Sequence, residues 1–148
     1  MDWGMKNRLS KIINPKDGHS LMLAVDHGYF MGPTTGLENI KKMTDPLIPY
    51  ADTLMLTRGA LRNYIEPKTK IPIVLRVSGG TSILNKENLL HEGIAVDIED
   101  AIRLNVSGVA FSILVGQPFE RDTLLGMTEY IDMAERYGIP VLAVTAVG

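Results

Sequence analysis

The chain has 148 residues, 45% hydrophobic and 22% charged, and a formal net charge of −2, which is the composition of a globular domain with a core of its own. The near-neutral charge without a basic block does not favour nucleic-acid binding, and the absence of cysteine excludes disulfides and thiolate zinc sites. The sequence has no stretch like a signal peptide and no apolar run of the ~20 residues that a membrane span requires. We therefore expect a cytoplasmic protein without a membrane partner.

The first predicted element is a short amphipathic helix over residues 4 to 14, with apolar residues at roughly helical spacing and a stop at Asn14-Pro15. Asp17-Gly18 then predicts a turn into the first strand. Residues 1 to 19 therefore form an N-terminal helix and turn. Such a helix before the first strand of a barrel can plug the bottom of that barrel.

The first predicted strand, Leu21 to Val25, stops at Asp26-His27-Gly28. An apolar run without polar alternation is typical of a strand buried on both faces of a parallel sheet. Ligands of α/β folds lie at the carboxyl ends of such strands, so Asp26 and His27 are candidate catalytic acid/base residues. The alternative is that Asp26 caps the next turn. Adjacent strand residues point to opposite faces, so only one of the two is expected to face a barrel interior.

The rest of the chain alternates strands with helices. Strands are predicted over 52–59, 71–77, 108–115 and 139–147, and helices over 36–50, 60–65, 97–105 and 118–137, while residues 83–96 are left unassigned. Alternation indicates parallel pairing through right-handed crossovers, and units of ~30 residues fit a (β/α)₈ TIM barrel. A doubly wound sheet is the rival, but it usually carries GxGxxG where this chain has Asp-His-Gly. We expect an incomplete TIM barrel, with strands one to five in residues 20 to 148.

Polar residues concentrate where the predicted strands end. The candidate substrate-binding residues there are Arg58, Arg76, Ser78 and Thr145. An arginine near a buried strand end must meet either an anionic substrate or an internal partner, for example Asp26 for Arg76. The loop from Ser78 to Thr81 either offers backbone N–H groups to a phosphate or is a flexible turn. No metal site is expected, because His19 and His91 are expected to lie in solvent.

Six stretches resemble the 3-hydroxy-5-phosphonooxypentane-2,4-dione thiolase family of autoinducer-2 breakdown, within the class I aldolases of the archaeal fructose-bisphosphate aldolase type. They are DWGMKNRLSKI, LAVDHGYFMGPTTGLENI, DTLMLTRGALR, PIVLRVSGGTSIL, EDAIRLN and VLAVTAVG. The segment VDHGYFMGPTTG is specific, whereas the helices are not. The resemblance covers essentially the whole chain and implies that it is the N-terminal portion of such an enzyme.

The resemblance implies a TIM barrel that works through a lysine Schiff base, with no metal and no bound cofactor. The phosphorylated diketone would be cleaved and its acetyl group passed to coenzyme A as co-substrate, giving acetyl-CoA and dihydroxyacetone phosphate. Asp26, with His27 beside it, matches the active-site aspartate of the first strand. Arg58, Arg76 and Ser78 match pocket positions. Full-length members tend to form homo-oligomers.

Two features of the family are missing from this sequence. Its Schiff-base lysine lies on strand six and its phosphate site follows strands seven and eight, whereas none of the lysines here falls at a predicted strand end. We therefore expect a portion of a thiolase that is inactive alone. The alternatives are a class I sugar-phosphate aldolase and a short product with a binding or assembly role. The acid/base tyrosine that the aldolase branch carries on strand five is absent from VLAVTAVG, which favours the thiolase.

Overall fold

The structure is a computed structural model that describes residues 1–147. Five parallel strands form the main sheet: β1 (Met22–Ala24), β2 (Thr53–Thr57), β3 (Ile73–Arg76), β6 (Gly108–Val115) and β7 (Val141–Val147). The helices are α1 (Trp3–Ile12), α2 (Gly28–Met31), α3 (Ile40–Thr44), α4 (Arg58–Tyr64), α5 (Ile98–Arg103) and α6 (Glu120–Glu135), with a 3₁₀ turn at Ile48–Tyr50. Within the described range, no helix is long and apolar enough to cross a membrane.

The order of the strands distinguishes between the two predicted architectures. The main sheet runs β1-β2-β3-β6-β7, and every neighbouring pair is parallel. A doubly wound sheet reverses its strand order at a switch point, whereas here the order follows the chain without reversal. The alternating pattern in the sequence therefore builds five strands of a TIM barrel, as predicted.

The sheet has an apolar layer on each face. Leu54, Leu56, Leu75 and Phe111 face the helices on the outside. On the inside, Met55, Val74 and Ala110 cluster with Ile12, the last residue of α1. A Cβ added at Gly108, at the start of β6, would lie only 2.9 Å from the Ile12 Cδ1 atom and 3.3 Å from the Pro140 carbonyl oxygen, so Ile12 packs closely against this glycine. The end of α1 therefore packs against the inner layer of the sheet, where a plugging helix was expected.

Strands β1 and β7 form the two edges of the sheet within the described residues. The side chains of β7 are partly exposed, and Val147 reaches 82% exposure. Edge strands present unpaired backbone N–H and C=O groups that can pair with further strands. The inner layer of the barrel is accordingly open on this side.

Some predicted helix boundaries move in the structure. The helix predicted over 36–50 shortens to α3 and a 3₁₀ turn, because Pro46 and Pro49 remove backbone donors and disfavour helical neighbours. Helix α6 ends at Glu135, two residues before the predicted end, and the turn that follows it closes at the predicted Gly138, which has a φ of +61°. The N–H groups of Gly138 and Ile139 donate to the carbonyls of Glu135 and Ala134, which is the Schellman pattern.

The structure contains one strand pair that simple alternation does not predict. Ser78–Gly79 forms β4 and pairs antiparallel with β5, Gly93–Ile94. The loop after β3 is therefore half of a small hairpin and not a flexible turn. This hairpin lies at the carboxyl end of β3, where it contributes to the candidate site.

Candidate active site at the barrel mouth

The central feature of the barrel mouth is a buried ion pair between Asp26 and Arg76. Val25 still donates its N–H to the Met55 carbonyl, so the next residue, Asp26, enters the mouth directly from the end of β1. Arg76 is the last residue of β3, and its Nε and Nη2 atoms each lie 2.7 Å from Asp26 Oδ2. Both side chains are buried. Of the two predicted partners for Arg76, the structure contains the internal carboxylate.

Arg76 also connects to β6 through Ser112. Its Nη1 atom donates to Ser112 Oγ over 2.9 Å, and the backbone N–H of Ser112 donates to Ser78 Oγ over 3.0 Å. Ser112 lies in a strand that is otherwise apolar and buried. The guanidinium is therefore held from two strands at once and has little freedom to turn.

A second buried carboxylate, Glu92, binds two other residues of the site, Tyr29 and Ser78. Its Oε1 accepts from the Tyr29 hydroxyl and its Oε2 from the Ser78 hydroxyl, each over 2.7 Å. The ring of Tyr29 covers the guanidinium of Arg76 at 5.0 Å from the ring centre, a cation–π arrangement. We call the six linked residues the mouth network: Asp26, Tyr29, Arg76, Ser78, Glu92 and Ser112.

Tyr29 of the mouth network has a raised pKa and loses its proton only in strong alkali. Burial raises the pKa of Tyr29 to about 12, the nearby Glu92 carboxylate adds to the rise, and the hydrogen bond with Ser112 opposes it. A protonated phenol donates one hydrogen bond, and Glu92 receives it. Tyr29 therefore acts as a fixed donor and as a cover over Arg76.

A small pocket opens above the mouth network. Its volume is about 280 Å³, and Gly28, Tyr29, Arg76, Ser78 and Gly79 contribute to its wall. The glycines add no side chains, so the pocket keeps room for a small polar molecule. Asp26 is not among the residues that line this pocket. Its Oδ1 accepts no hydrogen bond from residues 1–147, since Arg76 donates to Oδ2.

The structure brings three of the six predicted site residues together: Asp26, Arg76 and Ser78. His27 is exposed, so only one of the adjacent Asp26 and His27 side chains enters the mouth, although the reason is not strand alternation, because β1 ends at Ala24 and His27 caps α2. Thr145 pairs with Ile113, and its neighbour Val144 pairs with Ser112, so alternation directs Thr145 to the face opposite the network. His27 and Thr145 therefore lie outside the mouth network.

Arg58 lies between the pocket and the outer helices. It lines the pocket, but its Nη1 donates to Asp100 Oδ2 of α5 over 2.9 Å. Arg58 begins α4 and does not end a strand, because the Thr57 side chain caps this helix by accepting from the Ala60 N–H. The substrate-binding role of Arg58 stays a prediction, as do the roles of the other site residues.

Sequence reasoning missed Glu92 and Ser112. Glu92 belongs to the unassigned stretch 83–96, which has no clear periodicity, and only the hairpin makes it a site residue. Ser112 had a signal: a lone hydroxyl inside a buried apolar strand needs a partner. That signal identifies a buried polar contact but not its location.

The chain is similar in sequence to proteins of the thiolase and aldolase type. No protein-family model matches the chain. The chain is 50% identical over all 148 residues to a 3-hydroxy-5-phosphonooxypentane-2,4-dione thiolase of Photorhabdus laumondii, and 51% identical to one of an Enterobacter species. It is also 50% identical to an uncharacterized aldolase of Pasteurella multocida. The chain spans about half the length of these relatives.

Two solved structures show the same fold. An archaeal fructose-1,6-bisphosphate aldolase with its catalytic lysine bound to a carbinolamine intermediate matches with a TM-score of 0.74 and 21% identity, over 94% of this chain and 56% of that one. A fructose-bisphosphate aldolase of Slackia heliotrinireducens matches with a TM-score of 0.74 and 14% identity, over 98% of this chain and 50% of that one. These matches confirm the aldolase-type TIM barrel. In sequence, the chain is similar over its whole length to 3-hydroxy-5-phosphonooxypentane-2,4-dione thiolases, as the resemblance predicted.

Proposed function

We propose that this chain supplies the Asp26 side of a thiolase active site that cleaves 3-hydroxy-5-phosphonooxypentane-2,4-dione. The observation that carries this proposal is the buried Asp26–Arg76 pair at the mouth of the sheet. The pair lies in a chain that is about 50% identical over its length to thiolases of that name. The reaction passes the acetyl group to coenzyme A, and the products are acetyl-CoA and dihydroxyacetone phosphate.

The proposed chemistry uses a lysine Schiff base. A lysine amine adds to a substrate carbonyl and loses water, the coenzyme A thiolate adds to the acetyl carbonyl, and the iminium accepts the electron pair of the breaking carbon–carbon bond as acetyl-CoA leaves. The enamine that remains takes up a proton and is hydrolysed to dihydroxyacetone phosphate and the free lysine. Arg76 binds only Oδ2 of Asp26, which leaves Oδ1 free to face the iminium or to hold a proton of the reacting group. Asp26 is thus the proposed catalytic carboxylate, with Arg76 fixing its orientation.

The lysine is proposed to come from polypeptide that pairs with the open strands β1 and β7. No lysine among residues 1–147 lines the mouth pocket. Further strands of a barrel would add at these two edges and bring new strand ends to the same mouth. We propose that the completed barrel binds coenzyme A and the phosphorylated diketone and that it forms a homo-oligomer.

A class I sugar-phosphate aldolase is the second candidate, and the name of the Pasteurella relative favours it. Both reactions start from a Schiff base, but only the thiolase transfers an acyl group to coenzyme A. Formation of acetyl-CoA from the phosphorylated diketone therefore distinguishes the two. A chain with only a binding or assembly role would show neither activity after its barrel is completed.

Borohydride trapping tests the proposed division of the site. The chain is incubated with substrate and borohydride, alone and together with the half of the Photorhabdus thiolase that it does not match. We expect a reduced adduct only in the mixture, attached to a lysine of the added half. An adduct on a lysine of this chain, or no adduct in a mixture that forms a stable complex, would overturn the proposal.

A further inference from the structure

A second cavity lies at the opposite end of the sheet from the mouth. Its volume is about 800 Å³, and it is bounded by α1, by the end of α4 and by the segment from Arg103 to Ser107 after α5. Ile73, the first residue of β3, forms part of its floor. No member of the mouth network lines this cavity, which we call the basal groove.

The basal groove is strongly cationic in a protein whose net charge is −2. Its cationic lining residues are Arg8, Lys11, Arg62, Lys70 and Arg103, and its one lining carboxylate is Glu66. Glu66 lies 3.5 Å from Lys41 outside the groove. Within the described part of the chain, Lys11 and Lys70 have no ion-pair partner, so their charges face the groove uncompensated.

Two of the arginines are held in place by a buried carboxylate. Asp100 Oδ1 accepts from Arg62 Nη2 over 2.6 Å and from Arg103 Nη2 over 2.5 Å. Each guanidinium carries five donors, so most of their N–H groups stay available. The two side chains are 47% and 74% exposed. Asp100 therefore fixes two cations side by side at the groove, which is the arrangement that a phosphate group needs.

The rim of the basal groove carries the single tryptophan of the chain. Trp3 lines the groove and is 78% exposed. An exposed indole beside cationic side chains offers a flat surface on which an aromatic base can stack. The volume is also in the range of small-molecule sites, which are ~300 to 1,000 Å³.

We propose that the basal groove binds a nucleotide-sized phosphate ester. Arg62, Arg103, Lys11 and Lys70 contact its phosphates, and Trp3 stacks on its aromatic ring. The site is separate from the mouth, because the groove lies where β3 begins and Arg76 lies where it ends. The inference does not depend on the proposed thiolase reaction.

A fluorescence titration of Trp3 with ADP tests the proposal on the chain itself. We expect a saturable change in emission, weaker binding at higher salt because the contacts are ionic, and at least about tenfold weaker binding in the double variant Lys11→Gln/Lys70→Gln. Lys86→Gln, an exposed substitution outside the groove, is the matched control and is expected to bind like the parent. All three side chains are exposed, and thermal melting of each variant checks that the fold is intact.

Adenosine and inorganic phosphate are the two partial probes, and each is expected to bind more weakly than ADP. A failure of millimolar ADP to give a saturable change would overturn the proposal. So would equal binding by Lys11→Gln/Lys70→Gln and the parent. Equal affinity for ADP and inorganic phosphate would overturn the assignment of a nucleotide, because the Trp3 contact would then contribute nothing.

Discussion

The guanidinium of Arg76 lies 2.7 Å from Oδ2 of Asp26, and neither side chain is more than 5% exposed. The two residues are 50 positions apart in the chain. Asp26 lies just after β1 and Arg76 ends β3, and because β2 separates these two strands, the side chains meet across the inside of the barrel. The pair therefore forms only when the sheet is folded, and it fixes the Asp26 carboxylate in the candidate site.

Removing Arg76 is expected to destabilise the chain strongly. Arg76→Met leaves the buried Asp26 carboxylate without its partner, and breaking a buried pair in this way costs about 3 to 5 kcal/mol. Urea unfolding followed by circular dichroism measures the loss. Arg121→Met, at an 82% exposed side chain on α6, is the control and is expected to change the free energy of unfolding by less than about 0.5 kcal/mol.

The double variant Asp26→Asn/Arg76→Met separates charge from packing. Since it removes both charges, we expect it to be more stable than Arg76→Met alone. A double variant that is as unstable as the single one would mean that the cost comes from lost packing around the arginine. Arg76→Met with the stability of the parent would contradict the buried pair itself.

The plug formed by α1 is tested at Gly108. A Cβ at this position would meet Ile12 Cδ1 at 2.9 Å and the Pro140 carbonyl oxygen at 3.3 Å. We expect Gly108→Ala to lower the free energy of unfolding by about 1 to 3 kcal/mol, the usual range for overpacking. Thermal unfolding compares it with the parent.

Gly59 provides the matched substitution for Gly108. It lies in α4, and an added Cβ would have no neighbour within 4 Å. Gly59→Ala is therefore expected to stabilise the chain, by about 0.5 to 1 kcal/mol, because alanine favours the helix. If Gly108→Ala were as benign as Gly59→Ala, α1 would not pack into the barrel.

Tyr29 is expected to make the chain sensitive to alkali. Burial raises its pKa from 10.0 to about 12, so the folded chain retains this proton to a higher pH than the unfolded chain. This contribution to stability is complete below pH 10.0 and is lost as the pH rises through about 12. We expect Tyr29→Phe to weaken the fall of the unfolding free energy across that interval, while Tyr64→Phe, at a partly exposed residue, leaves it unchanged.

Asp100 is expected to make the free energy of unfolding depend on pH under acidic conditions. Hydrogen bonds from Arg58 first and then Arg103 hold the pKa of Asp100 below its usual value of 3.8. Its contribution to stability is therefore present above pH 3.8 and is lost as the pH falls through the lower folded value. Unfolding at decreasing pH is expected to show a shallower acid loss for Asp100→Asn than for the parent. Asp132→Asn, an exposed substitution on α6, is expected to lose stability in acid as the parent does. Identical acid unfolding curves for all three proteins would contradict the stabilisation of the Asp100 carboxylate by the arginines around it.

The sequence was sufficient to predict five strands of a barrel, because each predicted strand is an apolar run and helices separate the runs. It did not predict the β4–β5 hairpin. A two-residue strand such as Gly93–Ile94 has no periodicity to detect, and its pairing with Ser78–Gly79 depends on the fold around it. The length of the helix after Gly36 was overestimated, since two prolines outweigh its apolar spacing.

The candidate site was predictable only where a residue ends or follows an apolar run of the sequence. Asp26 and Arg76 follow apolar runs, so their meeting at one end of the sheet follows from parallel pairing. Glu92 comes from an irregular segment, and only its contacts with Tyr29 and Ser78 reveal it. Thr145 lies within β7, and its register with Ile113 turns it away from the network. One residue of register decides the face of a strand residue, and the sequence alone does not set it.

The most direct test of the proposed function is the rate of acetyl-CoA formation by a completed barrel. This chain is joined to the half of the Photorhabdus thiolase that it does not match and is assayed with the phosphorylated diketone and coenzyme A. We expect activity that depends on coenzyme A and falls at least about 100-fold with Asp26→Asn, the scale of a lost acid/base group, but not with the exposed control Asp132→Asn. Equal rates for the Asp26→Asn barrel and the parent barrel would contradict the central role of Asp26.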